Sequence, residues 1–97
     1  MKLIKFHPEA ESELAESVTF YNQRVPGLGS EFFLVVKTAS RQIQNDPERR
    51  PLRRDGTRKL KIPRFPYFLI YREEMGQILV VAVAHGARRP RYWRQRL

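Results

Sequence analysis

The sequence predicts one α+β domain over residues 1–97, in the order β-α-α-β-β-β. An antiparallel sheet is covered on one face by an N-terminal helical hairpin and followed by a short basic tail. Three observations predict it. Apolar residues recur twice at helical spacing in the first half. Apolar runs rich in β-formers and bounded by turn residues fill the second half. Helical and strand patterns are segregated rather than alternating, which favours α+β over a wound parallel sheet. A chain of 97 residues with 41% apolar and 11% aromatic content builds one small core and is not a disordered polymer.

The elements follow in chain order. Lys2 to Phe6 alternates and predicts a short first strand. His7-Pro8-Glu9 predicts a helix start, with proline in the first position and Glu9, Glu11 and Glu13 near the positive end of the helix dipole. Ala10, Leu14, Val18 and Tyr21 make its apolar stripe, and the helix runs to about Arg24. Val25-Pro26-Gly27-Leu28-Gly29 breaks the chain. Ser30 is the expected cap of a second helix, which buries Phe32, Val36, Ala39 and Ile43 and ends at Asn45-Asp46-Pro47. Pro51 to Thr57 is a basic loop closed by Asp55-Gly56. Arg58 to Ile62 alternates and predicts a strand with one charged face. Tyr67–Arg72 and Gln77–Ala84 predict an antiparallel hairpin around Glu73-Glu74-Met75-Gly76, the second run being continuous enough for a central strand. Arg88 to Leu97 is a basic tail holding Tyr92 and Trp93, expected as a short helix or strand.

Charge and composition limit the function classes. Seven Lys/Arg and seven Asp/Glu cancel in residues 1–50, whereas twelve against three leave the whole surplus of +9 in residues 51–97. Most of these cations are arginines, the side chain suited to bidentate phosphate or carboxylate contacts. One-sided charge of this kind points to an anionic partner such as nucleic acid, a ribosome or an acidic protein segment. With no cysteine, disulfides, zinc-thiolate sites and thiol catalysis are excluded. The longest apolar run, Ile78 to Ala84, is far too short to span a bilayer, and the start has no secretory pattern, so a cytoplasmic protein without a membrane partner is expected. No cofactor or metal is expected, since two histidines alone offer no ligand spacing.

Several segments in a fixed order carry a resemblance. They are Phe6-His7-Pro8-Glu9-Ala10, Phe20-Tyr21, Pro26-Gly27-Leu28-Gly29 before Phe32, and Asn45-Asp46-Pro47-Glu48. Arg64-Phe65-Pro66-Tyr67 leading to Ile70-Tyr71-Arg72, Val83-Ala84-His85, Arg88-Arg89-Pro90 and Tyr92-Trp93 complete the set. Together they resemble the RelE/ParE superfamily of toxins from type II toxin–antitoxin systems, also called plasmid stabilisation proteins, over nearly the whole chain. The resemblance implies a toxin neutralised by a cognate antitoxin that docks through a helix or an extended segment. Some members poison DNA gyrase, and others are metal-independent endoribonucleases acting on messenger RNA in the ribosome. Gyrase is the favoured expectation here, with RNA cleavage as the alternative and a non-toxic remnant that only binds antitoxin or DNA as the third.

The resemblance also implies site residues. In RNA-cleaving members the paired lysines fall on Lys59 and Lys61, the C-terminal arginine on Arg88 or Arg89, and the tyrosine on Tyr92. The third-strand arginine of those members falls on Phe68, which departs from their pattern. Lys59 and Lys61 share one strand face, so they equally suit a solvated surface. Tyr92 and Trp93 suit either packing of the tail or stacking on a base. His85 ends a strand near the basic tail and is a candidate general base or a structural histidine, whereas His7 is expected to cap locally. Arg53, Arg54, Arg58, Arg64, Arg89, Arg91, Trp93 and Arg94 are the expected target-binding residues.

Overall fold

Local chemistry sets where each element begins. The computed structural model describes residues 2–97. β1 (Leu3–Phe6) leads into α1 (Pro8–Arg24) and α2 (Leu28–Asn45). Then come β2 (Arg58–Lys61), β3 (Tyr67–Glu74), β4 (Gln77–His85) and a 3-10 turn at Arg94–Arg96. The His7 ring caps α1: its Nδ1 accepts the Glu9 N–H at 3.1 Å, with Pro8 in the first turn. Ser30 does not cap α2. The helix starts three residues earlier than that cap implies, at Leu28 behind Gly27 at φ 89°. The reason is tertiary. α1 and α2 approach closely at Gly29, where a Cβ would overlap the Val18 carbonyl oxygen. Asn22 Oδ1 of α1 accepts the Gly29 N–H at 2.7 Å and so supplies the helix end with the acceptor that Ser30 was expected to give.

The sheet has the order β1-β4-β3-β2. β2–β3 and β3–β4 are antiparallel, but β1 runs parallel to β4, with Leu3 opposite Gln77. The sheet is therefore mixed rather than antiparallel throughout. β1 and β4 are separated by the helical hairpin and two strands, so no tight turn dictates their relative direction, and a parallel pair needs only such a long connection. The helices cover one face. Phe32, Val36 and Ile43 of α2 and Ala10 of α1 pack on Leu60, Ile62, Leu69, Tyr71, Ile78, Val80 and Val83. Buried Tyr71 donates its hydroxyl to the Pro47 carbonyl at 2.8 Å, which ties the end of the helical layer to the sheet.

A bulge lets β4 serve both faces. Ile70 lies opposite Ala82 and Tyr71 opposite Val80, so Val81 has no partner of its own. Val80 and Val83 thus face the helices, while Val81, Ala82 and Ala84 face the other way and meet Trp93 of the tail. The tail covers part of this second face. No described helix is long and apolar enough to cross a membrane.

Candidate functional site

The tail is held by one carboxylate. β1 spans four residues and β4 nine, so β4 outruns its neighbour and leaves backbone groups unpaired along that edge. Glu13 of α1 accepts the Val83 N–H at 3.0 Å, and Arg96 donates to the Val81 carbonyl at 3.0 Å. The same two side chains bind each other through two bonds of 3.0 and 2.9 Å, and Tyr92 Oη donates to Glu13 Oε2 at 2.7 Å. Two side chains thus complete a strand edge and seat the tail. Burial, the bond to Glu13 and the negative charge of Glu13 all raise the Tyr92 pKa well above the usual phenol value, against opposing effects of Arg96 and Arg88.

A second tie joins the tail to the 51–57 loop. Asp55 Oδ1 accepts both the Thr57 N–H and its hydroxyl, at 3.0 and 2.6 Å, and Arg91 pairs with Asp55 at 3.4 Å. Arg91 holds a left-handed backbone at φ 59°, a conformation an L-residue adopts at a cost and which this pair helps to keep. Burial alone would raise the Asp55 pKa. The Thr57 bonds and the cations Arg53 and Arg91 outweigh it and hold the carboxyl below its ordinary value. A depressed folded-state pKa contributes stability that is present above the unfolded value and lost as pH falls through the folded one. The tail is therefore expected to loosen below about pH 4, the ordinary aspartate range. Emission of Trp93, the single tryptophan, should shift to the red in acid before far-ultraviolet circular dichroism changes, and Asp55→Asn should show that shifted emission already at neutral pH.

Between tail and sheet lies an open cleft of about 150 Å³. Lys59, Arg53, His85, Arg88, Arg89 and Arg91 line it with Phe68, Tyr92 and Trp93. Lys59 Nζ lies 4.5 Å from the Phe68 ring centre, and the Arg88 guanidinium lies 3.9 Å from that of Tyr92. His85 Nδ1 accepts the Ala87 N–H at 2.9 Å, so a neutral ring carries its proton on Nε2. Trp93 is 5% exposed and packs on Ile70, Val81, Ala82 and Ala84.

The cleft therefore brings together Lys59, Arg53, His85, Arg88, Arg89, Arg91, Tyr92 and Trp93. Other expected site residues stand apart. Lys61 is occupied: its ammonium donates to the Ile62 and Phe65 carbonyls, both at 2.8 Å. Arg58 donates to the Glu48 and Arg50 carbonyls and pairs with Glu73 at 3.5 Å, away from the cleft lining. Arg64 pairs with Glu31 of α2 at 2.6 Å on the helical layer. Trp93 lines the cleft but is largely buried, with most of its ring packed on the sheet. Arg54 is exposed and does not line the cleft, and Arg94 is exposed on the tail, where it shares a shallow surface depression with Arg89. Sequence reasoning missed Glu13, Arg96 and Asp55 as organisers of the site. The available signal was the position of Glu13, directly before Leu14 at the margin of the apolar stripe of α1. Among the described residues no group of three or more His, Asp or Glu is placed to hold a metal ion.

No curated protein matches the chain by sequence. The solved structure described as the chromosomal ParDE TA system from P. aeruginosa shares the fold with a TM-score of 0.77 at 18% identity, covering 88% of this chain and 96% of that one. A family model described as the ParE toxin of the type II toxin-antitoxin system, parDE, matches residues 4–90. The helical hairpin, the four-stranded sheet and this match together place the chain in the ParE toxin family of type II toxin–antitoxin systems.

Proposed function

We propose that this ParE-family toxin arrests growth by binding DNA gyrase, not by cutting RNA. The observation that carries this reading is the bond from Tyr92 to Glu13. A nuclease of the resembling class needs a group to move the ribose proton and cations for the developing phosphate charge. Tyr92 Oη is committed to Glu13 and is harder to ionise than a free phenol. The Lys61 ammonium is committed to two carbonyls, and position 68, where the resemblance expects arginine, is phenylalanine. What remains is a cationic surface suited to holding a partner. Purified protein incubated with gyrase, ATP and plasmid is expected to leave protein-linked DNA breaks. Ribosome-bound messenger RNA incubated with the same preparation should stay intact. Cleaved message without trapped gyrase would reverse the assignment.

The partner in the cell is an antitoxin, and we propose that it occupies the helical layer. Ile4, Phe6, Leu14, Phe33 and Val36 line a groove of about 280 Å³ rimmed by Lys37 and Arg41, and Phe33 is 44% exposed. An apolar floor with a basic rim fits an acidic amphipathic helix that orders on binding. This groove lies on the other side of the sheet from the cleft.

A further inference from the structure

The cleft holds donors in excess of acceptors. Glu13 and Asp55 sit behind it and are already paired, and no carboxylate lines it. Two buried side-chain donors, Arg53 Nη1 and Trp93 Nε1, have no acceptor among the described residues, and both belong to the cleft wall. Lys59, Arg88 and Arg89 are exposed and have no ion-pair partner among the described residues. Arg88 lies against the Tyr92 ring, so its outer plane can continue the stack. Cations beside stacking planes on an open groove are the requirements for a single nucleic-acid strand: phosphates need the charge, and unpaired bases need the planes. A duplex offers no free base face to such a stack.

We propose that this cleft binds single-stranded DNA, with phosphates on Lys59 and Arg89 and a base against Arg88. The choice of DNA as the working ligand rests on the gyrase reading, in which the toxin acts where a DNA strand is opened. Binding itself is independent of gyrase, and so is its test.

The test is fluorescence anisotropy of a short labelled DNA strand of mixed sequence, titrated with the purified chain over a range of salt. Lys59→Gln with Arg88→Gln, both at exposed positions, is expected to weaken binding about tenfold. It should also flatten the slope of log affinity against log salt by about 0.7, since of the two residues only Lys59 holds a phosphate and each phosphate contact on a single strand is worth about 0.7. Arg24→Gln with Arg49→Gln removes the same charge from exposed sites outside the cleft and is expected to change affinity less than about twofold. Equal losses in the two pairs would reduce the effect to net charge and overturn the site. So would the absence of any anisotropy change, whatever gyrase does in its own assay. RNA of the same sequence binding more than about tenfold tighter would overturn the assignment to DNA. Trapped gyrase breaks that persist in the Lys59/Arg88 pair would leave the gyrase reading standing and separate the two claims.

Discussion

Glu13→Ala is expected to lower the unfolding free energy by about 3 kcal/mol. The substitution removes the acceptor for Val83 N–H, for Tyr92 and for Arg96 at one stroke. Arg96 and Glu13 side chains are 10% and 15% exposed, so the charge left behind is poorly solvated. Breaking such a buried pair from one side costs about 3–5 kcal/mol, and the residual access to water favours the lower figure. For a domain near this size each kcal/mol moves Tm by about 4–8 °C, so a fall of at least about 12 °C is expected by calorimetry. The tail should leave first. Trp93 emission is expected to shift to the red in Glu13→Ala while the helical signal stays native. Glu13→Gln keeps one acceptor oxygen and should cost about half as much. Arg96→Ala added to Glu13→Ala should cost little more, because the two residues act as one unit.

Phe32→Ala is expected to be the most damaging core substitution, at about 4–5 kcal/mol. Phe32 is fully buried and central to an aromatic group, with ring centres of Tyr67, Phe65 and Tyr21 at 4.8, 5.0 and 5.3 Å. Removing a buried phenyl ring costs about 3–5 kcal/mol through lost transfer energy and the cavity left behind. Each well-placed aromatic pair adds about 0.5–1.5 kcal/mol beyond burial. Small domains have a total of only about 5–15 kcal/mol, so the variant should be partly unfolded at growth temperature. A urea titration followed by circular dichroism measures the loss directly. Unlike Glu13→Ala, this variant should lose helical and tryptophan signals together, since the core unfolds as one body.

Much of this molecule was legible in its sequence where the relevant chemistry is local. The α1 start was readable because cap and proline are adjacent: His7 and Pro8 sit one after the other. The hairpin of β3 and β4 was readable because the turn residues lie between two apolar runs. The start of α2 was not, because the Gly29 contact with Val18 is tertiary and leaves no mark at Ser30. The bulge at Val81 was hidden for a different reason. A strand buried on both faces is apolar at every position, and a continuous run erases the alternation that would reveal a shift of register. The parallel placement of β1 depends on which edge is open, which no short segment encodes.

The site divided in the same way. Residue chemistry pointed to the basic tail and to Lys59, because cations beside aromatics are informative wherever they lie. It could not distinguish Arg88, exposed in the cleft, from Arg58, which is bound to two backbone carbonyls on the other side of its strand. The organiser of the tail escaped because Glu13 and Arg96 are separated by 83 positions. In the sequence Glu13 reads as one more helix-start acid beside Glu9 and Glu11, although only those two lie in the first turn where the dipole acts.

Gyrase is the target we propose for this toxin. Pulse-labelling tests it most directly. The chain is expressed briefly in bacteria without antitoxin, and incorporation of labelled thymidine and labelled amino acid is followed over the first minutes. Thymidine incorporation is expected to fall first, with messenger RNA full length at that time. An immediate fall in amino-acid incorporation with DNA synthesis still running would contradict the account and return Lys59, Lys61, Arg88 and Tyr92 to consideration as a nuclease set.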